Sequence, residues 1–340
     1  MSSLMHSSSN SVSSPKPSSR VGHSLYSRSF YQKQKGFTLL ELVLVMLIIG
    51  LVASTPLVFI DNQDNQFRYN ETLDKMTLIE RAVLQQNIYR NQPILSGFVV
   101  DNGVLPPASG TATQDASELF PLIKKDGAWN IDSSNDWESW GMKTPHVKVS
   151  GGSPIVLASH QQLKGYRGSY LSDGLDSSGE FLDSWGLGFE VSNAADEYSF
   201  NYKGDDGAHP APYDVPVSGA IAALDWRVPL NQIDIQLTNN TGETQIVAVA
   251  VFQNKAVADD EDRWTTYYFP VLDTATENSL SFTTSQWQKD GASVGSPGSV
   301  YIPAGQHAVF VIDSSNNVTT YDRLLVIPRS TQPALQFEVN

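Results

Sequence analysis

The chain has 340 residues, no cysteine and a formal charge of −14. Without thiols it can form neither disulfides nor thiolate metal sites. Residues 1–36 hold five basic side chains (Lys16, Arg20, Arg28, Lys33, Lys35) and no acid, so 17 basic side chains face 36 acidic ones in the remainder, a balance of −19 that argues against nucleic acid as a partner.

The leader, residues 1–36, is serine-rich, carries Pro15 and Pro17, and has a composition that cannot bury enough apolar surface to fold. From Phe37 to Ile60 the chain carries one charge, Glu41, in an apolar run. About 20 apolar residues span a bilayer, and the acid-free basic flank before this run predicts a cytoplasmic N-terminus. An ionised carboxylate at that depth costs roughly 2.5 to 3.5 kcal/mol on insertion scales, so Glu41 needs a compensating role.

The stretch KGFTLLELVLVMLIIGLVAS, Lys35 to Ser54, resembles the prepilin signature of type IV pilins and type II secretion pseudopilins. The resemblance implies a prepilin peptidase that cuts between Gly36 and Phe37 and N-methylates Phe37. It also implies that Glu41, fifth in the mature chain, meets the terminal amine of a neighbouring subunit during filament assembly. The leader is longer than is typical of that family, and Ala53-Ser54 could imitate the cleavage site of an ordinary secretory signal.

The pattern predicts one long helix from Phe37 to Asn91, kinked at Pro56 and stopped by Pro93. Its second half is amphipathic, with Leu73, Met76, Ile79 and Val83 recurring at helical spacing. VVDNGVLPP, Val99 to Pro107, resembles the loop that follows this helix in pseudopilins. A polar stretch from Ala108 to Gly152 reads as an insertion anchored by Trp129, Trp137 and Trp140. FLDSWGLGFEV and YSFNYKGDDG, between Phe181 and Gly207, resemble the major pseudopilin pattern in which Asp-x-Trp-Gly leads into two strands ending at Gly-x-Asp-Gly. The alternations Leu187, Phe189, Val191 and Tyr198, Phe200, Tyr202 predict a hairpin with one buried face. Two readings stand for Lys203 to Asp214: a solvated acidic turn, or a calcium loop with Asp206 and Asp214 as ligands, as the resemblance implies.

Beyond Val215, eight short runs separated by turn signals predict strands: Ile233–Leu237, Ile246–Phe252, Thr265–Phe269, Leu280–Phe282, Val300–Ile302, Ala308–Ile312, Leu324–Ile327 and Leu335–Val339. The expected fold is α+β: a long N-terminal transmembrane and amphipathic helix packed on a small antiparallel sheet, followed by an all-β antiparallel sandwich. Its divisions are a leader at 1–36, the membrane half of the helix at 37–60, a pilin-like domain at 61–214 and the sandwich at 215–340. Neither catalytic nor nucleotide-binding motifs occur, and no enzymatic activity is expected. The reading is a filament subunit, pseudopilin or minor pilin, whose partners are other pilin subunits, the prepilin peptidase and the inner membrane. Its alternatives are a tip or adhesive pilin that binds carbohydrate or protein through the sandwich, and a signal-anchored periplasmic protein that enters no filament.

Overall fold

The structure, a computed structural model, describes residues 38–90, 92–108, 113–114, 116–123, 137–149, 153–202, 209–255, 257, 259–272, 278–281, 287–293, 300–332 and 334–340. It divides into two compact units, Met1–Val58 and Phe59–Asn340. A helix runs from Leu39 to Val83, and Pro56 lies within it. Met76, Ile79, Ala82 and Val83 are buried on its amphipathic half, with Leu73 packed beside them.

The helix ends eight residues earlier than the Asn91 expected from the sequence. After Val83 the apolar 3-4 spacing gives way to Gln85-Gln86-Asn87, and the chain forms a hairpin, Gln85–Tyr89 against Gln92–Ser96. Pro93 lies inside the second strand, which among the described residues pairs on one side only and so needs no further donor. The hairpin returns to the helix end at Gly97, whose φ is 116°. A Cβ there would stand 2.7 Å from the Val83 carbonyl oxygen, so only glycine allows this close approach.

Phe98–Asn102 then forms a short helix capped by Gly103 at φ 69°, whose N–H donates to the Val99 carbonyl. The predicted hairpin is present as Glu190–Ala194 paired with Glu197–Tyr202, and Phe189, Val191, Tyr198, Phe200 and Tyr202 are all buried. Its two-residue turn, Ala195-Asp196, has positive φ at both positions. Trp226 Nε1 donates to the Asp196 carbonyl at 2.8 Å and Arg227 Nη2 donates to Asp196 Oδ2 at 2.8 Å, which holds that turn in place. Val217–Ile221, beyond the 214/215 division, adds a further antiparallel strand to the same sheet.

The C-terminal region is β-rich and largely antiparallel. Each of the eight expected runs overlaps a strand. One six-stranded sheet has the order Ala292–Ser293, Gln288–Lys289, Trp264–Leu272, Gln245–Phe252, Gly305–Asp313, Val318–Val326. A three-stranded sheet is mixed, because Asp234–Asn239 pairs parallel with Leu335–Val339 and antiparallel with Asn278–Ser281. The expectation of a purely antiparallel region therefore holds for the larger sheet and not for this one.

Both faces of the large sheet are covered. Val247, Val249, Val251, Val309 and Val311 share a core with Ile235, Leu237, Phe337 and Val339 of the small sheet. Ala248, Ala250, Phe252, Ala308, Phe310 and Ile312 share another with Val147 and Leu157, from the region before the hairpin. Burial on both faces explains why the central strand reads QIVAVAVF, nearly continuous apolar sequence instead of strict alternation.

A buried amide cluster joins these parts. Asn254 Nδ2 donates to Asn102 Oδ1 and to the Glu138 carbonyl, each at 2.8 Å. The Asn254 N–H donates to the Asn102 carbonyl at 2.7 Å, and the Glu138 N–H donates to Asn254 Oδ1 at 2.8 Å. Gly103 lies hard against the same strand end, where a Cβ would fall 2.0 Å from the Phe252 carbonyl oxygen. Gly103→Ala should therefore destabilise the protein by about 2 kcal/mol or more, combining αL strain with a backbone clash. Gly141→Ala, with open space around its Cβ, should stay within about 0.5 kcal/mol of wild type. Denaturant unfolding of the two variants in parallel measures the difference, and equal stabilities would refute the close-packing account.

Candidate functional site

The N-terminal unit presents an apolar surface with one acid in it. From Leu39 to Val52 every large apolar side chain is exposed, between 43% for Val45 and 82% for Leu39. An all-round apolar helix belongs in lipid or among other helices, not in water. Side chains are described there only as far as Ala53; residues 39–53 make about 22 Å of helix, short of the roughly 30 Å hydrocarbon core. Accordingly no helix among the described residues is long and apolar enough to cross a membrane.

Glu41 occupies the first turn of this helix. Its backbone N–H donates to Thr38 Oγ1 at 3.3 Å, and the Leu42 N–H donates to the Thr38 carbonyl at 3.1 Å. Thr38-Leu39-Leu40-Glu41 thus has the spacing of a capping box, and its threonine half is formed. A carboxylate in the first turn also meets the positive end of the helix dipole. The sequence reading did not use this Thr-x-x-Glu signal, which gives Glu41 a local role beside any role between subunits. The predicted cleavage and methylation positions, Gly36 and Phe37, lie outside the described residues.

The Asp-x-Trp-Gly corner is a tight local structure. Asp183 Oδ1 accepts N–H groups from Trp185 at 2.9 Å and Leu187 at 2.8 Å, while Oδ2 lies 2.8 Å from His209 Nε2. Both side chains are buried, and the His209 ring meets Trp185 and Tyr202 edge-on at 4.8 and 4.5 Å. His209, within the Lys203 to Asp214 segment, is the partner of Asp183. Of the two proposed calcium ligands, Asp206 lies outside the described residues and Asp214 is exposed. Among the described residues no three His, Asp or Glu side chains gather in a way that would hold a metal ion.

The tryptophans divide. Trp137 packs on Phe98 at 5.7 Å; Trp140 is 37% exposed, with the Arg167 guanidinium 5.8 Å from its ring centroid; Trp129 lies outside the described residues. Trp137 is thus a packing anchor, and Trp140 stands at the surface.

Perturbed titratable groups cluster behind Trp140. Burial raises the Asp101 carboxyl, against the opposing pull of Arg167, whose Nε is 3.2 Å from Oδ2. Burial lowers Lys164 to about 8, with Asp101 acting in opposition, and its Nζ donates to the Val100 carbonyl at 2.9 Å. His307 is pushed down to about 3, first by burial and then by the Lys164 charge. Its Nε2 is 2.7 Å from the Pro303 carbonyl, an acceptor, so the neutral ring carries its proton on Nε2. Sequence reasoning passed over this cluster because its members are scattered along the chain and joined only by the fold.

The prokaryotic N-terminal methylation motif matches residues 31–55. It is a type IV pilin-like signature, and it implies a substrate of prepilin peptidase that assembles with pilins. No curated protein and no solved structure matches the chain.

His307 provides a pH test. Its folded value, about 3, lies below the unfolded 6.5, so between these limits the unfolded chain binds a proton that the folded chain refuses. Stability contributed by the neutral ring is present above pH 6.5 and is lost as pH falls toward 3. From pH 6.5 to 4.5 the loss amounts to about 2 to 3 kcal/mol at 1.36 kcal/mol per pKa unit. His307→Gln should remove that share of the acid sensitivity, read as the difference in unfolding free energy between pH 7 and pH 4.5. An undiminished difference would show that other groups carry the acid response.

Proposed function

We propose that the chain is a pilin-like filament subunit, a pseudopilin or minor pilin, processed and N-methylated by a prepilin peptidase. The methylation motif at residues 31–55 carries the reading, because it coincides with an exposed apolar helix whose first turn holds a single acid. In this reading the peptidase cuts between Gly36 and Phe37, and Phe37 becomes the methylated terminus. The apolar segment first anchors the subunit in the inner membrane and then packs among equivalent helices. Glu41 pairs with the terminal amine of a neighbouring subunit, which offsets the burial cost of both charges; a subunit added out of register leaves one unpaired. The β-rich body serves as a contact surface and performs no catalysis.

Two substitutions separate processing from assembly. Gly36→Val should block cleavage, because the residue before the cut bond gains bulk. Co-expressed with a prepilin peptidase, the variant should keep its leader when its intact mass is measured, and a normal mature mass would overturn the cleavage assignment. Glu41→Gln is chosen because glutamine preserves the capping-box pattern while removing the charge. The leader should still be cut, and co-purification with pilin partners from detergent should drop several-fold. Equal recovery would remove the assembly role from Glu41, and loss of cleavage would move that residue to the processing step.

A further inference from the structure

Within the unit Phe59–Asn340 the helix shows the body one face and solvent another. Met76, Ile79 and Val83 turn inward, whereas Phe67 is 71% exposed. At about 100° per residue, Asp64, Glu71 and Asp74 fall within about 60° of Phe67, and all three are exposed. Arg68 and Lys75 lie to one side, each 3.3 Å from its acid, Asp64 or Glu71, in surface pairs of small worth. This face is an aromatic knob set in a row of carboxylates. One exposed phenylalanine by itself is ordinary; it gains meaning beside a second surface.

That surface is a cleft of ≈ 420 Å³, walled by Pro93–Leu95 of the hairpin, the ribbon of Gly141–Lys143 with Gln162–Lys164, and the large sheet at Gly305–His307. Four large apolar side chains open into it, Ile94, Trp140, Met142 and Leu163, each between 37% and 55% exposed. Apolar area gathered in this way favours burial against a partner. About 150 Å³ suffices to hold a benzene ring, so the cleft has room for a phenyl side chain. Its charge runs against that of the chain, which is −14 overall. Arg323 is the exposed ionic group of the lining, and the half-exposed Arg167 stands 5.8 Å from the Trp140 ring. The acid of the lining, Asp101, is buried against Arg167.

We propose that the Phe67 face of one copy docks into the Ile94, Trp140, Met142 and Leu163 cleft of a second copy of this chain, with Arg323 and Arg167 facing the Asp64, Glu71 and Asp74 row. An apolar socket rimmed by arginines matches, in polarity and in sign, an aromatic knob rimmed by carboxylates. Knob and socket are different patches of one chain, so the contact is head-to-tail, and such contacts propagate as an open helical array unless they close into a ring. The inference rests on the filament reading and gives the contact between bodies a location.

The chain has no cysteine, so introduced thiols report only the contact in which they are placed. Two differently tagged full-length copies are co-expressed with a prepilin peptidase, one carrying Asn70→Cys beside Phe67 and the other Met142→Cys. Membranes are treated with a short bismaleimide, and a cross-linked species bearing both tags is expected. Its yield should fall several-fold when Met142→Cys is exchanged for Leu224→Cys, an exposed position outside the cleft. Adding Phe67→Ala to the Asn70→Cys copy should lower the yield by about tenfold, the size expected of a central interface anchor. Phe67 is exposed, so thermal melting of that variant should match wild type. Equal yields from Met142→Cys and Leu224→Cys would overturn the proposal, and so would a yield that Phe67→Ala leaves unchanged. If Met142→Cys is shielded from maleimide only when a different pilin is co-expressed, and copies of this chain do not cross-link, the cleft belongs to that pilin and the proposal falls. Leader cleavage is read in the same samples: cleaved chains without the cross-link refute this contact alone, whereas a Phe67-dependent cross-link between uncleaved chains keeps the contact and removes the filament reading.

Discussion

The body depends on the buried amide of Asn254. One fully buried side chain and its own backbone N–H tie together the short helix at Phe98–Asn102, the segment entering at Glu138 and the end of the central strand Gln245–Phe252. An apolar residue of similar size would leave the Asn102 amide oxygen and the Glu138 N–H with unmet hydrogen bonds, at about 1 to 3 kcal/mol for each buried group, while the Glu138 carbonyl would keep the Tyr166 N–H. The cluster also explains Gly103, since only a residue without a side chain lets these backbones meet. The halves that sequence texture divides at 214/215 are thereby one compact unit from Phe59 to Asn340.

Local pattern was legible in the sequence and long-range pattern was not. Period-2 alternation placed the hairpin at Glu190–Tyr202, and turn signals placed eight of the C-terminal strands, because both depend on neighbours along the chain; the short strands at Val217–Ile221, Arg227–Pro229, Gln288–Lys289 and Ala292–Ser293 carry no such pattern. Helix periodicity misled at Gln85–Ser96, where a proline taken as a helix stop is a strand residue. The run of Ile246 to Phe252 was legible as a strand, but what covers its second face was not: Val147 comes from the segment read only as an insertion, and Leu157 from the stretch just after it. Parallel pairing of Asp234–Asn239 with Leu335–Val339 leaves no local trace at all.

The same limit applies to the candidate sites. Glu41 was legible because the signal around it is contiguous, and its first-turn geometry adds a reason for the Thr38 spacing that the motif alone does not supply. Asp101, Lys164 and His307 were invisible, because nothing in a linear sequence marks a lysine that will lose its water. The His209–Asp183 pair was equally hidden, since its members stand 26 positions apart and only the fold brings them together.

The mixed sheet has a kinetic consequence. Gln236 and Gln336 stand side chain to side chain although 100 positions separate them, and the Asn102–Asn254 contact spans 152. Such contacts give nothing back until long loops have closed, so folding that relies on them is slow compared with folding through local hairpins. Until closure, the apolar strand Gln245–Phe252 lacks cover on both faces. A newly made chain is therefore most vulnerable to aggregation and proteolysis in the interval between its synthesis and the docking of Leu335–Val339.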